Sequence, residues 1–370
     1  MTRSDLPRAA ALPHLRQARA RKGDPVALPL TMASMFHLPG DPAGFDQYGR
    51  FDNPTWEAAE EALGLLEDAE ALAFPSGMAA ISAVLFSVVR TGDRILLPSD
   101  GYYTTRVLAE RFLKPLGVTA DLRPTAEFLR GGFEGYRLVF VETPSNPGLD
   151  VCDIGAVAQA AHGVGALVVA DNTTMTPFGQ RPLDLGADIV VAADTKAPNG
   201  HSDALFGHVA SRDREVIAAA RDWRKLAGGI PGPFEAWLVH RGLETLELRF
   251  DRMCGSAETI APRLQQHPAV RSVRFPGLAG DPAHNLARTQ MDRFGFLIGL
   301  TLASEAKAET FIDTCPLIQP ATSFGGVHTS AERRARWGDA VDPGFVRLSV
   351  GCEPTEVLWD ALEEALDRIV

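Results

Sequence analysis

Two stretches decide the architecture: VVADNT at residues 168–173 and VVAADTKAPNGHSD at 190–203. Each opens as a short run of Val and Ala without polar alternation, the pattern of a strand covered on both faces. Each then turns polar, at Asp171 in the first and at Asp194, Thr195 and Lys196 in the second. Working outward, similar apolar runs recur at Arg94–Leu97, Leu138–Glu142, Ala166–Ala170, Ile189–Ala193 and Ala204–Ala210, with a helical pattern at Thr104–Leu113. This alternation over residues 70 to 225 predicts the α/β class with a mostly parallel sheet. From Phe234 to Gln266 few breakers interrupt what reads as a long helix or helix pair. Beyond it, Phe294–Leu302 and Phe345–Val350 are strand-like, and Leu358, Leu362, Ala365 and Ile369 recur close to the helical period. These predict a second, smaller α+β domain from about residue 243.

The chain has 370 residues, enough for roughly two domains at about 150 residues each. Gly and Pro together make 60 of the 370, well below the roughly 25–30% of low-complexity chains, so disorder and fibrous architectures are excluded. The net charge of -11 argues against nucleic acid as a partner. Residues 1–24 run against that average, with Arg3, Arg8, Arg16, Arg19, Arg21 and Lys22 against Asp5 and Asp24. Such a block reads as a solvated or subunit-crossing arm. The longest uncharged stretch, Ala71–Val89, is broken by Pro75-Ser76-Gly77, so it reads as a turn plus a buried helix rather than a membrane span. No continuous apolar run precedes Asp24, so no secretory signal is expected, and a cytoplasmic enzyme is. Cys152, Cys254, Cys315 and Cys352 form no C-x-x-C pair and read as reduced and structural, with Cys352 a site-adjacent candidate.

In parallel α/β sheets, ligands gather at the carboxyl ends of the strands. A carboxylate and an amine delivered there by Asp171 and Lys196 suit pyridoxal 5'-phosphate. The amine condenses with the aldehyde, and the carboxylate keeps the pyridine nitrogen protonated so that the ring absorbs carbanion electrons. Alone, the pair is better read as a solvated lysine and a capping aspartate; its company overturns that. FPSGMAAISAVL at 74–85 places a Ser-Gly turn before a helix, where the amides of Gly77 and Met78 beside Ser76 would hold a phosphate. A plain helix cap has the same letters. His201, Asp203 and His208 do not fit zinc spacings, so no metal is expected.

These motifs, with those that follow from Tyr48 to the C-terminus, resemble the pyridoxal-phosphate-dependent enzymes of cysteine and methionine metabolism. That family includes the cystathionine synthases and lyases and methionine γ-lyase. The resemblance implies fold type I, with an arm over residues 1–54 crossing to a partner subunit, a cofactor-binding α/β domain over 55–242 and a C-terminal α+β domain over 243–370. YGRFDNPT at 48–55 resembles the motif whose Tyr and Arg reach the partner's cofactor phosphate, which implies that role for Tyr48 and Arg50. A homotetramer built from dimers sharing active sites is the corresponding expectation. DGYYTT at 100–105 makes Tyr102 the ring that stacks on the cofactor and a possible proton donor to the leaving group. ETPSNP at 142–147 gives Asn146 a place near the phenolic oxygen. The resemblance makes Lys196 the lysine that carries the cofactor and Thr195 a phosphate ligand, and adds Thr173 to the cofactor-binding set. SFGGVHTS at 323–330 and VRLSVGCE at 346–353 imply that Arg347 clamps the substrate α-carboxylate with help from Ser323.

Four positions depart from the pattern. Ala193 stands where the family commonly has Ser, which removes one phosphate hydroxyl, and Thr104 stands where methionine γ-lyases carry Cys. Gln47 and His328 occupy acidic positions that lie near the distal part of the substrate in cystathionine γ-lyases. Their neutrality weakens recognition of a distal ammonium. The expected activity is γ-elimination, cystathionine γ-lyase-like, on an L-amino acid with a Cγ heteroatom leaving group. The alternatives are γ-replacement on an O-substituted homoserine, cystathionine β-lyase activity, and a catalytically reduced cofactor-binding protein. A nicotinamide dehydrogenase is disfavoured because no G-x-G-x-x-G follows a strand.

Overall fold

The computed structural model describes residues 6–370, so Arg3 and Asp5 of the basic arm lie outside the described residues. Its strands are, in chain order, β1 Glu70–Phe74, β2 Arg94–Pro98, β3 Thr119–Arg123, β4 Leu138–Glu142, β5 Leu167–Asp171 and β6 Ile189–Ala192. They continue with β7 Gly207–Ser211, β8 Val270–Arg274, β9 Leu297–Leu302, β10 Gln319–Pro320, β11 Ser330–Arg333 and β12 Phe345–Ser349. β1 to β7 make a seven-stranded sheet and β8 to β12 a five-stranded one.

The chain divides into two units. The first comprises the described residues up to Arg90 together with Asp188–Glu247. It contributes the run β1-β7-β6, in which β7 is antiparallel to both neighbours. The helix Pro54–Glu67 begins where the Asn53 side chain accepts from the Thr55 amide and Pro54 takes the first position, a residue whose fixed φ and missing N–H suit that place. It buries Trp56, Ala59, Leu63 and Leu66. The stretch Ala71–Val89 holds more than a turn and a helix. Its first residues are β1, and Ser76 then caps the buried helix Gly77–Val88. A continuous apolar run cannot be told apart as strand or helix by periodicity, which is why β1 is not separable in sequence.

The second unit, Thr91–Ala187 with Leu248–Val370, carries the all-parallel run β5-β4-β2-β3 and the whole five-stranded sheet, ordered β10-β11-β12-β9-β8. β4 is buried at every residue and β5 at all but its first, as their unbroken Val-rich runs require. Val139 of β4 and Val168 of β5 share one buried cluster with Phe128 and Phe133. In the five-stranded sheet Ile298, Leu300, Val346 and Leu348 pack with Leu358, Trp359 and Leu362 from the last helix, Thr355–Asp367. Ile369 is also buried but lies just past that helix end. The Phe234–Gln266 segment is a helix pair, Pro233–Leu243 and Leu246–Gln266. Among the described residues no helix is long and apolar enough to cross a membrane.

Candidate active site

In the first unit, Ser76 is the cap of the helix Gly77–Val88. Its Oγ accepts from the Ala79 amide at 3.1 Å, which leaves the hydroxyl proton available to donate. The Gly77 and Met78 amides belong to the first turn, where no intrahelical acceptor exists. A Cβ built on Gly77 would come within 2.6 Å of the Ala193 Cβ, so the departure at 193 packs directly on this turn. Gly207 is just as constrained, because a Cβ there would lie 2.6 Å from the Gly77 nitrogen and from the Ser76 carbonyl carbon and oxygen.

Lys196 follows β6 in a pinned turn. Its amide donates to the Ala193 carbonyl at 3.1 Å, and its carbonyl accepts from the Gly200 amide at 2.8 Å. The Thr195 hydroxyl donates to the Phe206 carbonyl at 3.1 Å and accepts from the Phe206 amide at 3.0 Å. Tyr48 is 43% exposed and forms an isolated bridge with Met35. Arg50 donates to the Lys225 carbonyl and lies over the Phe51 ring at 5.0 Å. Gln47 is exposed, with its amide 3.5 Å from the Pro42 carbonyl.

The second unit brings together a different group. Asp171 ends β5, is 7% exposed and accepts from the Thr173 amide at 3.0 Å. Register places Glu142, at the end of β4, directly beside it. Burial, then the Asp171 charge, hold the Glu142 carboxyl well above the usual carboxylate range, against the lowering effect of a 2.6 Å bond from the Tyr102 amide. Gly101 makes that approach possible, since a Cβ there would meet Glu142 Oε2 at 2.6 Å. The Tyr102 ring is 38% exposed and stands edge-on to Tyr103.

Arg347, on β12, is 3% exposed. Its guanidinium donates to Asn146 Oδ1 at 2.5 Å and to the Thr322 carbonyl at 2.8 Å, and it pairs with Glu332 at 3.2 Å. Burial and the neighbouring Arg334 lower its pKa to about 10 in spite of Glu332. Hydrogen bonds knit the 323–330 and 346–353 stretches together, among them those from the Gly325 amide to Ser349 Oγ at 3.0 Å and from the Cys352 amide to the Val327 carbonyl at 2.7 Å. Ser323 is half-buried in that loop, while His328 is exposed.

Sequence reasoning missed three contributors. Glu142 lies inside ETPSNP at the end of an apolar run, a signal present in the sequence, while its place beside Asp171 comes from the strand register. Glu332 pairs with Arg347 across two strands, and nothing local announces it. His208, weighed only as a metal ligand, is instead buried between Asp194, 2.8 Å from Nδ1, and Glu67, 3.4 Å from Nε2. Burial alone would lower its pKa, but the Asp194 charge and the contacts with Asp194 and Glu67 raise it to about 10. Among the described residues no group of three or more His, Cys, Asp or Glu could hold a metal ion.

The donor chemistry fits pyridoxal phosphate. One unit offers a hydroxyl and two first-turn amides suited to a phosphate beside a lysine-bearing turn; the other offers a buried carboxylate and a buried guanidinium.

Comparison with known proteins agrees. A Streptomyces coelicolor protein carrying a provisional cystathionine gamma-lyase name is 49% identical over 365 residues, covering 95% of this chain and 93% of the relative. A cystathionine beta-lyase of Lactococcus lactis subsp. cremoris is 36% identical over 360 residues, with 93% and 94% covered. The structure of cystathionine gamma synthase from Xanthomonas oryzae pv. oryzae in complex with cystathionine superposes with a TM-score of 0.94 at 34% identity, covering 98% of each chain. The architecture is that of fold-type I pyridoxal-phosphate enzymes, with a large, mostly parallel seven-stranded sheet and a smaller C-terminal domain. Residues 14–367 match one family throughout, and the chain belongs to it: the Cys/Met metabolism PLP-dependent enzymes.

Proposed function

We propose that the protein catalyses γ-elimination on an L-amino acid bearing a Cγ heteroatom leaving group, releasing a 2-oxo acid and ammonia in the manner of a cystathionine γ-lyase. The observation that carries this reading is the γ-lyase name of the Streptomyces coelicolor relative, which shares about half its residues with this chain over nearly its whole length. When bound, pyridoxal phosphate supplies an aldehyde for a lysine amine and a ring that stores the electrons of a deprotonated carbon. Lys196 would carry the cofactor and, once displaced by the substrate amine, would take the Cα proton; a second proton leaves Cβ before the Cγ substituent departs. Asp171 keeps the proton on the pyridine nitrogen. Tyr102 offers a ring face to the pyridine and a phenol proton to the leaving group. Ser76, the Gly77 and Met78 amides, Thr173 and Thr195 complete the cofactor cradle, with Asn146 toward the phenolic oxygen. Arg347, with Ser323, binds the α-carboxylate.

Tyr48 and Arg50 serve the cofactor phosphate of a second copy, which requires at least a homodimer with shared active sites, and the family resemblance makes the working form a homotetramer of such dimers. In that assembly the arm over residues 1–54 crosses between subunits, residues 55–242 hold the cofactor and residues 243–370 form the C-terminal α+β domain. The four cysteines are unpaired, which suits work in the cytoplasm. Gln47 and His328 place no acid where a distal ammonium would need one, which favours O-acyl homoserines and other γ-substituted amino acids over cystathionine. Likeness to the Xanthomonas oryzae cystathionine gamma synthase supports γ-replacement as a second reading, in which a nucleophile is captured at Cγ.

The test incubates the cofactor-loaded enzyme with L-cystathionine and, separately, O-acyl homoserines, and identifies products by mass spectrometry. Formation of 2-oxobutanoate and ammonia, faster from the O-acyl substrates, is expected; Lys196→Ala abolishes both turnover and the visible absorbance of the bound cofactor. Homocysteine with pyruvate from cystathionine moves the enzyme to the β-lyases. An accumulating replacement product on addition of a thiol moves it to the synthases, and cystathionine far ahead of the O-acyl substrates refutes the preference drawn from Gln47 and His328.

A further inference from the structure

Three ionisable side chains are sunk together in the first unit, and the proposed chemistry uses none of them. Asp194 is 0% exposed and His208 and Glu67 are at 1% and 2%. Taking charges out of water costs several kcal/mol per ion, and well-packed apolar residues of similar volume often stabilise a fold as well or better. What an ion pair adds is direction. The His208 Nδ1 proton faces both oxygens of Asp194, at 3.0 and 2.8 Å. Asp194 stands two residues before Lys196, and His208 sits in β7, opposite Ala73 of β1 on one side and Ala192 of β6 on the other.

Around this bond the turn is stitched to the same strand end. The Thr195 amide donates to the Phe206 carbonyl at 3.2 Å, in addition to the two bonds of the Thr195 hydroxyl. The Asn199 amide closes the turn onto the Asp194 carbonyl at 2.9 Å. Hydrogen bonds to the backbone of Phe206 can be remade one residue out of step; the bond between Asp194 and His208 exists in one register only.

We infer that His208 is a positioning residue: through Asp194 it fixes the Ala193–Lys196 turn on β7 in the one register that aims Lys196. This rests on the reading that Lys196 carries the cofactor. Glu67 touches the far side of the imidazole and has no bond to the turn, so it supplies the control.

The experiment first reduces the loaded enzyme with borohydride and locates the cofactor by peptide mass. Attachment to a lysine other than Lys196 removes the underlying reading and the inference with it. With Lys196 labelled, Asp194→Asn, His208→Gln and Glu67→Gln are compared with the unaltered protein by amide hydrogen exchange over residues 193–200 of the loaded enzyme. Their rates of cofactor reuptake after removal are measured alongside. Asp194→Asn and His208→Gln are expected to exchange faster in that segment and to reload about 10-fold more slowly or worse, the loss expected for one charged hydrogen bond of roughly 1.5–3 kcal/mol. Their kcat falls while KM holds, and Glu67→Gln leaves segment exchange and reloading unchanged. If His208→Gln fails to fold, Asp194→Asn, which keeps the shape and an acceptor oxygen, decides the question. Unchanged exchange and reloading in Asp194→Asn, or equal changes in Glu67→Gln, overturn the inference.

Discussion

Arg347, proposed to clamp the substrate carboxylate, is already held by three groups of its own chain. Asn146, the Thr322 carbonyl and Glu332 orient its guanidinium before any carboxylate arrives, so its ordering entropy is already spent. Glu332 is in turn shared with Arg334, Arg336 and the Trp337 indole. Truncating Arg347 would strand a buried carboxylate, which confounds binding with folding. Arg347→Lys keeps the charge beside Glu332 and removes the planar fork. We predict that it raises KM for the amino-acid substrate by about 10–100-fold, the equivalent of ~1.5–3 kcal/mol for a charged hydrogen bond, with a smaller change in kcat. Steady-state kinetics at matched cofactor occupancy decides this, and an unaltered KM would remove Arg347 from the carboxylate site. The roles read from sequence all came from contiguous strings such as DTK, ETPSNP and VRLS. The pairs that support them were hidden because each joins residues far apart: 40 positions between Tyr102 and Glu142, 15 between Glu332 and Arg347, and 14 between Asp194 and His208.

Among the elements, strands announced themselves where both faces are covered. β4 runs from Leu138 to Glu142 as its apolar run indicates, β5 is shifted from its run by one residue at each end, and β6 stops one residue short of its run. β3, with the sequence TADLR, is half polar and has exposed positions, so it carries neither a buried run nor a clean alternation. β8, VRSVR, failed for the same reason. β7 was expected to start at Ala204 but starts at Gly207, because the residues before it are drawn out of the ladder to meet Thr195. The expected helix Thr104–Leu113 is present in two parts, an α-helix Tyr103–Leu108 that continues as a π-helical turn Ala109–Leu113. Local letters specify helix there, while the change of pitch belongs to packing.

At the scale of the whole molecule, the proposed sharing of active sites would make one copy's defect repairable by another. Under that proposal Lys196→Ala destroys the site that keeps the lysine in its own chain, whereas Arg50→Ala damages the site of the neighbour. A mixed dimer of the two variants therefore contains one intact site and one doubly defective site. Refolding them together in equal amounts is predicted to restore about a quarter of the unaltered activity, as random pairing in a two-fold assembly requires. Recovery of none of it would show that Arg50 acts within its own chain. The buried imidazole in β7 has a further consequence, for the thermodynamics of the entire chain. An unfolded histidine releases its proton near pH 6.5, while His208, set between Asp194 and Glu67, keeps its proton until about pH 10. The native state thus binds the extra proton between those limits, and folding takes one up from solvent. The stability this contributes is fully present below about pH 6.5 and drains away as the pH rises through 10. Urea unfolding from pH 7 to pH 10 should show a decline that His208→Gln flattens; parallel curves would mean that the imidazole is already neutral in the fold. On the alkaline side, the loosening should begin at this buried imidazole, whose partner Asp194 stands two residues before Lys196.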